Sequence, residues 1–297
     1  MATSAVPVNS QSPVRYRDQV FTAVKKNKDL LYADHRPEGT KEKYYRLDLY
    51  SPAGDSNTHR PLIIWLHGGG FKFGTKRSAG TPVWSKDFAL RGYVCAAINY
   101  RLSKKHPLKH AADLVDGCAD AVEDLQQAIR FFVLNRERYG IDTSRIILGG
   151  NSAGAMIALQ AGYSFPAEMR LLAHPDPSAS HPAGTSNPLH IAAIINFWGA
   201  IFNPGWLQHA SIPIVAACGS RDRVVPPDAS KPPICGSVVI HRTADSLQIP
   251  NRLRVFENCG HELQKHFNPL FAGWGAHKRW REAGQFAADF LYAQLFR

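Results

Sequence analysis

The stretch Arg145-Ile-Ile-Leu-Gly-Gly-Asn-Ser152-Ala-Gly154, followed by Ala-Met-Ile-Ala-Leu-Gln-Ala-Gly-Tyr163, decides how the rest of this chain is read. A short apolar run gives way to small residues around one serine and then to helix formers, the pattern of a strand, a tight turn and a helix start. Gly150-Asn151-Ser152-Ala153-Gly154 fits the G-x-S-x-G elbow that presents a nucleophilic serine. In so tight a turn, side chains at positions 150 and 154 would collide with neighbouring backbone, and the apex residue must hold strained dihedrals. Ser152 is thereby pushed out of the sheet at a helix N-terminus, where unpaired amides and the helix dipole favour developing negative charge. The string alone is moderately specific, because a glycine-rich helix start also produces it.

A second motif lies upstream. Leu62-Ile-Ile-Trp-Leu-His67-Gly68-Gly69-Gly70-Phe71 is a strand running directly into HGGGF, a loop whose backbone amides can complete an oxyanion hole. Three successive glycines expose N–H groups without side-chain obstruction. Removing one such donor typically costs about 2.7–4 kcal/mol of transition-state stabilisation.

Around these two motifs, short apolar runs alternate with longer segments of helical period, the pattern of a parallel sheet covered by helices. The strand candidates are Leu62 to Leu66, Tyr93 to Ile98, Arg145 to Leu148, Ile191 to Phe197, Ile212 to Ala217 and Leu253 to Phe256. Most lack polar alternation, as strands buried on both faces do. Leu114, Cys118, Val122, Leu125, Ile129 and Phe132 form one helix stripe, and Trp280, Ala283, Phe286, Phe290 and Leu291 form another. Tyr44 to Tyr50 and the stretch around Phe21 to Tyr32 are expected to add edge strands. Phe165 to Pro188 and Pro226 to Gly236, rich in turn-forming residues, are expected to be surface loops. The expected organisation is a flexible segment over 1–20 and a single catalytic domain over 21–297.

With HGGGF and GNSAG in hand, the chain resembles the α/β-hydrolase esterases and lipases, near the hormone-sensitive-lipase-like and small-cap carboxylesterases. The resemblance runs from about Tyr44 onward and takes in Asn99-Tyr100-Arg101-Leu102 and Tyr139-Gly140-Ile141-Asp142. It implies a mostly parallel central sheet with helices on both faces, no cofactor, no metal, and the chain order serine, acid, histidine. Asp222 then falls where the family's acid does, on the loop after Ile214 to Gly219. His261 falls in the Gly-His turn after Leu253 to Phe256. The implied mechanism has Ser152 attack an ester carbonyl while His261 takes its proton and Asp222 holds the imidazole; the amides of Gly69, Gly70 and Ala153 receive the oxyanion. Without the family, Asp222 reads as a loop N-cap or a partner of Arg221 or Arg223, and Glu257 and Glu262 are rival acids.

Composition narrows the remaining choices. The chain has 297 residues, 44% hydrophobic and 20% charged, enough for a full-sized core, with a net charge of +11. Lys25-Lys-Asn-Lys28, Lys104-Lys105 and Lys278-Arg279 lack aromatic interleaving and read as solvated faces, so no nucleic-acid partner is expected. No apolar run is long enough to span a bilayer. The first residues lack the layout of a signal peptide, so a cytoplasmic location is expected, with a removed leader as the alternative. Cys95, Cys118, Cys218, Cys235 and Cys259 form no C-x-x-C pair and read as buried thiols, a Cys218–Cys259 bridge being the alternative.

The expected substrate is a small-molecule or carbohydrate ester, with short acyl, acetyl or feruloyl groups, acted on by a monomer or a homodimer. Phe71, Phe73, Trp198 and Trp206 lie on or after strand-end loops and are candidates to wall the substrate pocket or, equally, to be core. Two departures from the family stand out. Asn151 replaces an acidic residue common there, and little chain before HGGGF is left for a helical cap, so an open cleft with a small or absent cap is expected. The rival readings are an arylformamidase-like amide hydrolase, a serine peptidase, and a non-catalytic receptor that keeps the fold.

Overall fold

In the computed structural model of the chain, residues 12–78, 80–176, 190–265 and 273–297 are described. The first edge strand is β1 (Val24–Leu31), followed by β2 (Arg46–Pro52) and β3 (Arg60–Leu66), which runs into the glycine loop. Then come α1 (Thr81–Ala89), β4 (Val94–Ile98), the long α2 (Ala111–Leu134), the single turn α3 (Arg136–Tyr139) and β5 (Ile141–Asn151). The elbow leads into α4 (Ala153–Tyr163) and α5 (Pro166–Ala173), and β6 (Ile191–Phe197) and β7 (Ile214–Gly219) follow. A small hairpin, β8 (Ser230–Lys231) with β9 (Ile234–Cys235), precedes α6 (Ser237–Ser246), β10 (Asn251–Phe256) and α7 (Trp274–Leu295).

Eight strands form one sheet in the order β1-β2-β4-β3-β5-β6-β7-β10. The β1–β2 and β2–β4 pairs are antiparallel, and the others are parallel. The inner strands are buried almost throughout because helices cover both faces. On one face Leu62, Ile64, Leu66 and Leu148 pack with the α2 stripe of Cys118, Val122, Leu125, Ile129 and Phe132 and with α4. On the other, Trp65, Ile147, Ile195 and Val215 pack with Trp84 and Phe88 of α1 and with Trp280, Ala283, Phe290 and Leu291 of α7. The alternation along each strand (Ile63 and Trp65 to one face, Leu62, Ile64 and Leu66 to the other) places the sheet between two apolar layers. Gly140 stops the helical stretch after α2 in the left-handed region, φ 60°.

Three expectations differ from what is observed. The stretch from Phe165, expected as a loop, opens with α5: Pro166 sits in the first turn and the Glu168 carboxylate accepts a hydrogen bond from Phe165 N at 2.8 Å. Its later part, 177–188, lies outside the described residues. Pro226 to Gly236 carries the β8–β9 hairpin. The leader expected to be flexible is packed in its described part: the Tyr16 ring stacks on Phe296 with centroids 4.4 Å apart, and Arg15 pairs with Asp55 at 2.6 Å. Residues 1–11 of that leader lie outside the described residues. All five cysteines are buried free thiols, although Cys218 and Cys259 both end near the loops that follow β7 and β10.

Candidate active site

Ser152 lies between β5 and α4 with φ 52° and ψ −123°, a conformation L residues rarely adopt. The surrounding contacts hold it there. A Cβ on Gly150 would lie 2.4 Å from the Gly154 carbonyl carbon, and one on Gly154 2.1 Å from Leu66 O, so the turn closes only with glycine at both places. The Ser152 amide donates to Phe197 O at 2.9 Å, fixing the apex to the neighbouring strand end.

His261 and Asp222 reach the same point from two other strand ends. His261 Nε2 is 3.0 Å from Ser152 Oγ, and His261 Nδ1 is 2.8 Å from Asp222 Oδ2. The second carboxylate oxygen, Asp222 Oδ1, accepts from the amides of Val224 and Val225, both at 2.9 Å, so both oxygens are directed. Asp222 is 4% exposed, His261 6% and Ser152 9%. One carboxylate oxygen thus faces the imidazole while the other is held by the loop that carries it. Of the rival acids, Glu262 follows the histidine directly, and burial raises its pKa; its side chain accepts from Gln264 Nε2 at 3.2 Å.

The histidine turn is tied down by α7, which sequence reasoning did not foresee. Trp280 Nε1 donates to Glu262 O at 2.7 Å and Arg279 Nε to Leu263 O at 2.6 Å. Glu262 and Leu263 hold positive φ values of 55°, and those two bonds compensate part of that strain.

Across from the serine, the glycine loop turns through positive φ at Gly69 (118°) and Gly70 (59°). Among the described residues, no hydrogen bond is donated by the amides of Gly69, Gly70 or Ala153. The loop lies against the elbow, where a Cβ on Gly68 would stand 3.2 Å from Ser152 Cβ, and backbone amides left without a protein acceptor are able to donate to an anion. The loop is anchored at several points. Tyr100 Oη donates to His67 O at 2.6 Å, the His67 ring stacks on Tyr100 at 4.2 Å, and Lys72 Nζ donates to the carbonyls of Ser103 and Lys105 at 3.1 and 2.8 Å. Burial pushes the His67 imidazole down to about 4, so it stands neutral against its own loop. Asn151 is fully buried, and neither of its side-chain polar atoms has a hydrogen-bond partner among the described residues.

The aromatic candidates sort differently. Phe71 and Trp198 are fully buried and Trp206 is 6% exposed, all three within the core layers. Phe73 is 63% exposed, and Leu108, from the loop after β4, is 65% exposed with Cδ2 2.3 Å from where a Cβ on Gly70 would stand. Apolar surface beside Gly70 is thus offered by Leu108, whereas Phe73 meets Gly69 through its backbone carbonyl. Leu108 had no sequence signal, since its position over Gly70 is a tertiary contact. Among the described residues there is no cluster of three His, Cys, Asp or Glu side chains placed to hold a metal ion, and no helix long and apolar enough to cross a membrane.

A doubly covered, mostly parallel sheet, a serine at a strained elbow, and an imidazole and a glycine loop converging on it define the α/β-hydrolase class. The BD-FAE family model matches residues 47–203, more than half of the chain, and the chain belongs to that family. Arylacetamide deacetylase-like 2 of Homo sapiens is 33% identical over 113 residues, which are 37% of this chain and 26% of that protein. Phenmedipham hydrolase of Pseudarthrobacter oxydans is 37% identical over 111 residues, 37% of this chain and 21% of that protein. The chain therefore spans about a quarter of the length of these curated relatives. Esterase 2 of Thermogutta terrifontis, solved after phosphorylation by paraoxon, shares the fold with a TM-score of 0.61 at 21% identity, over 94% of this chain and 96% of that one.

Proposed function

We propose that the protein hydrolyses carboxylic esters through an acyl-enzyme on Ser152, with His261 as general base and acid and Asp222 as its orienting carboxylate. The observation that carries this reading is the continuous path Asp222 Oδ2, His261, Ser152 Oγ, with links of 2.8 and 3.0 Å, ending beside three undirected amides. Ser152 Oγ attacks the ester carbonyl carbon as His261 Nε2 takes its proton, and the carbonyl oxygen becomes an oxyanion facing the amides of Gly69, Gly70 and Ala153. Collapse of the tetrahedral intermediate breaks the bond to the alcohol, which leaves with the proton held by His261. Water then attacks the acyl-serine, again deprotonated by His261, and releases the acid.

For substrate, the reading favours small-molecule or carbohydrate-linked esters with short acyl, acetyl or feruloyl groups. It is supported by the scarcity of helix ahead of the glycine loop: among the described residues the first α-helix is α1, after β3. The exposed Leu108, against Gly70, supplies an apolar lip beside the glycine loop. An amide reading has one point in its favour, the name of the human relative, arylacetamide deacetylase-like 2.

Ser152→Ala is expected to lower kcat on p-nitrophenyl acetate by roughly 10⁴-fold or more while the melting temperature holds. Near-normal turnover in that variant removes Ser152 from the mechanism. Rates on acetyl, butyryl and feruloyl esters beside an N-formyl anilide decide between ester and amide.

A further inference from the structure

We propose that the cleft between the loop after β4, α2 and α5 is a second ligand site, for a small amphiphilic anion: an alkyl chain or ring ended by a carboxylate. The cleft has a volume of about 680 Å³, within the range of small-molecule sites. It is separate from the serine site. None of Ser152, Asp222, His261, Gly69 or Gly70 lines it, and Phe71, whose carbonyl accepts from Ser103 N at 2.7 Å, is fully buried beside its wall.

Its chemistry is two-part. Tyr44, Leu102 and Ala119 line it and pack against the core, giving an apolar floor. Five cationic side chains and three carboxylates also line it. The carboxylates are engaged, two of them by one guanidinium: Glu123 at 2.7 Å and Asp120 at 3.6 Å share Arg101, which also pairs with the buried Asp124 at 2.9 Å, and Asp116 pairs with Lys105 at 2.7 Å. His174 adds a second contact to Asp116 at 3.0 Å. Among the described residues that leaves Lys41, Lys104 and Arg170 without a carboxylate within ion-pair distance, from three separate elements around one opening. An apolar floor with unmatched cations at its rim selects against neutral and cationic amphiphiles and for an anionic head, which Arg170 can hold by a two-pronged contact. The site also uses part of the +11 charge that hydrolysis of a neutral ester leaves without a role.

Calorimetric titration with octanoate, 1-octanol and octylamine tests this. It is done on native protein and on protein whose Ser152 has been blocked by paraoxon, so that binding in the serine cleft as a product is separated from binding here. Saturable octanoate binding of equal affinity in both forms is expected, with octanol and octylamine at least about tenfold weaker, a difference of roughly 1.4 kcal/mol or more. Lys104→Gln combined with Arg170→Gln is expected to weaken octanoate by about tenfold or more, and both positions are solvent-facing, so the fold is retained. Absence of octanoate binding, loss of it on blocking Ser152, equal affinity for octanol, or unchanged affinity in the double variant would each overturn the proposal. Failure of paraoxon to block the protein is a different result, which counts against Ser152 as nucleophile and leaves the titration of native protein and the double variant to decide this site.

Discussion

Leu66 O occupies the space that a side chain at residue 154 would need: a Cβ on Gly154 would lie 2.1 Å from it. The end of β3 and the first turn of α4 therefore touch backbone to backbone directly behind Ser152. Gly154→Ala has no flexible neighbour to displace and must push α4 or β3 aside, costing about 1–3 kcal/mol. A melting temperature lower by several degrees and ester turnover reduced at least about tenfold are expected, since a displacement of about 1 Å at the nucleophile can cost 10²-fold. A thermal melt and a rate measurement check this together, and an unchanged melt would contradict the contact.

The far end of the glycine loop is held by charge. Lys76 is 3% exposed and its ammonium is bonded by Asp48 and, at 2.5 Å, by Asp29, while its amide donates to Asn99 Oδ1 at 2.7 Å. Asp48 is fully buried and, once Lys76 is removed, keeps Lys26 at 2.9 Å and Arg77 at 3.9 Å, both on the same carboxylate oxygen. Lys76→Met is expected to cost about 3 kcal/mol, because it strands most of a buried charge. Adding Asp48→Leu removes that charge and is expected to recover much of the loss. Urea midpoints of the two single variants and the double variant measure the coupling, and simple additivity of the two losses would refute it.

His67 supplies a pH dependence. Its folded-state pKa is held at about 4 by burial, opposed by a backbone hydrogen bond at Gly68, against an ordinary 6.5. Between these values the unfolded chain binds a proton that the folded chain refuses. The contribution to stability is therefore complete above 6.5 and is lost as pH falls toward 4, roughly 3 kcal/mol in all. Unfolding free energies at pH 7 and pH 5 are expected to differ by about 2 kcal/mol from this source. His67→Gln is expected to flatten that part of the profile. An equally steep fall in the variant would assign the dependence to other groups.

Phe73 and Leu108 are both exposed and lie on the segments packed against Gly69 and Gly70, Phe73 through its backbone carbonyl and Leu108 through its side chain. On the reading that they contact the substrate's apolar part, Phe73→Ala and Leu108→Ala are expected to leave kcat/KM for an acetyl ester within about twofold. For a hexanoyl ester the expected loss is about tenfold, the scale of one hydrophobic contact. Parallel losses on both esters would instead indicate disturbance of the loop itself.

What could be read from the residues and what could not divides along physical lines. The elbow was legible because a turn that brings Gly154 against Leu66 O admits only glycine, so geometry leaves a mark in composition. The buried strands and the α2 stripe were legible because two covered faces demand unbroken apolar runs and one covered helix side demands a period. The Lys76–Asp48 pair was not legible: nothing in the local pattern marks either residue as buried, and the two meet only where β2 and the segment after the glycine loop come together. Placement of aromatics was also beyond local pattern. Phe71 and Phe73 are two residues apart on one loop, yet one is fully buried and the other 63% exposed, a difference set by Gly117 of α2 coming up against Phe71. The α5 start was hidden by the proline-, serine- and histidine-rich composition downstream, although Pro166 and Glu168 supply the usual entry signals.

Four of the six tryptophans, Trp65, Trp84, Trp198 and Trp280, lie within one aromatic cluster under the sheet, linked by centroid separations of 5.4 to 6.1 Å. The last of them donates its indole N–H to the carbonyl next to His261. Indole emission responds to hydrogen bonding and to the polarity around the ring, and rings this close exchange excitation. The protein therefore carries an optical reporter beside its histidine turn, through which motion of that turn during turnover can be followed without attaching a dye.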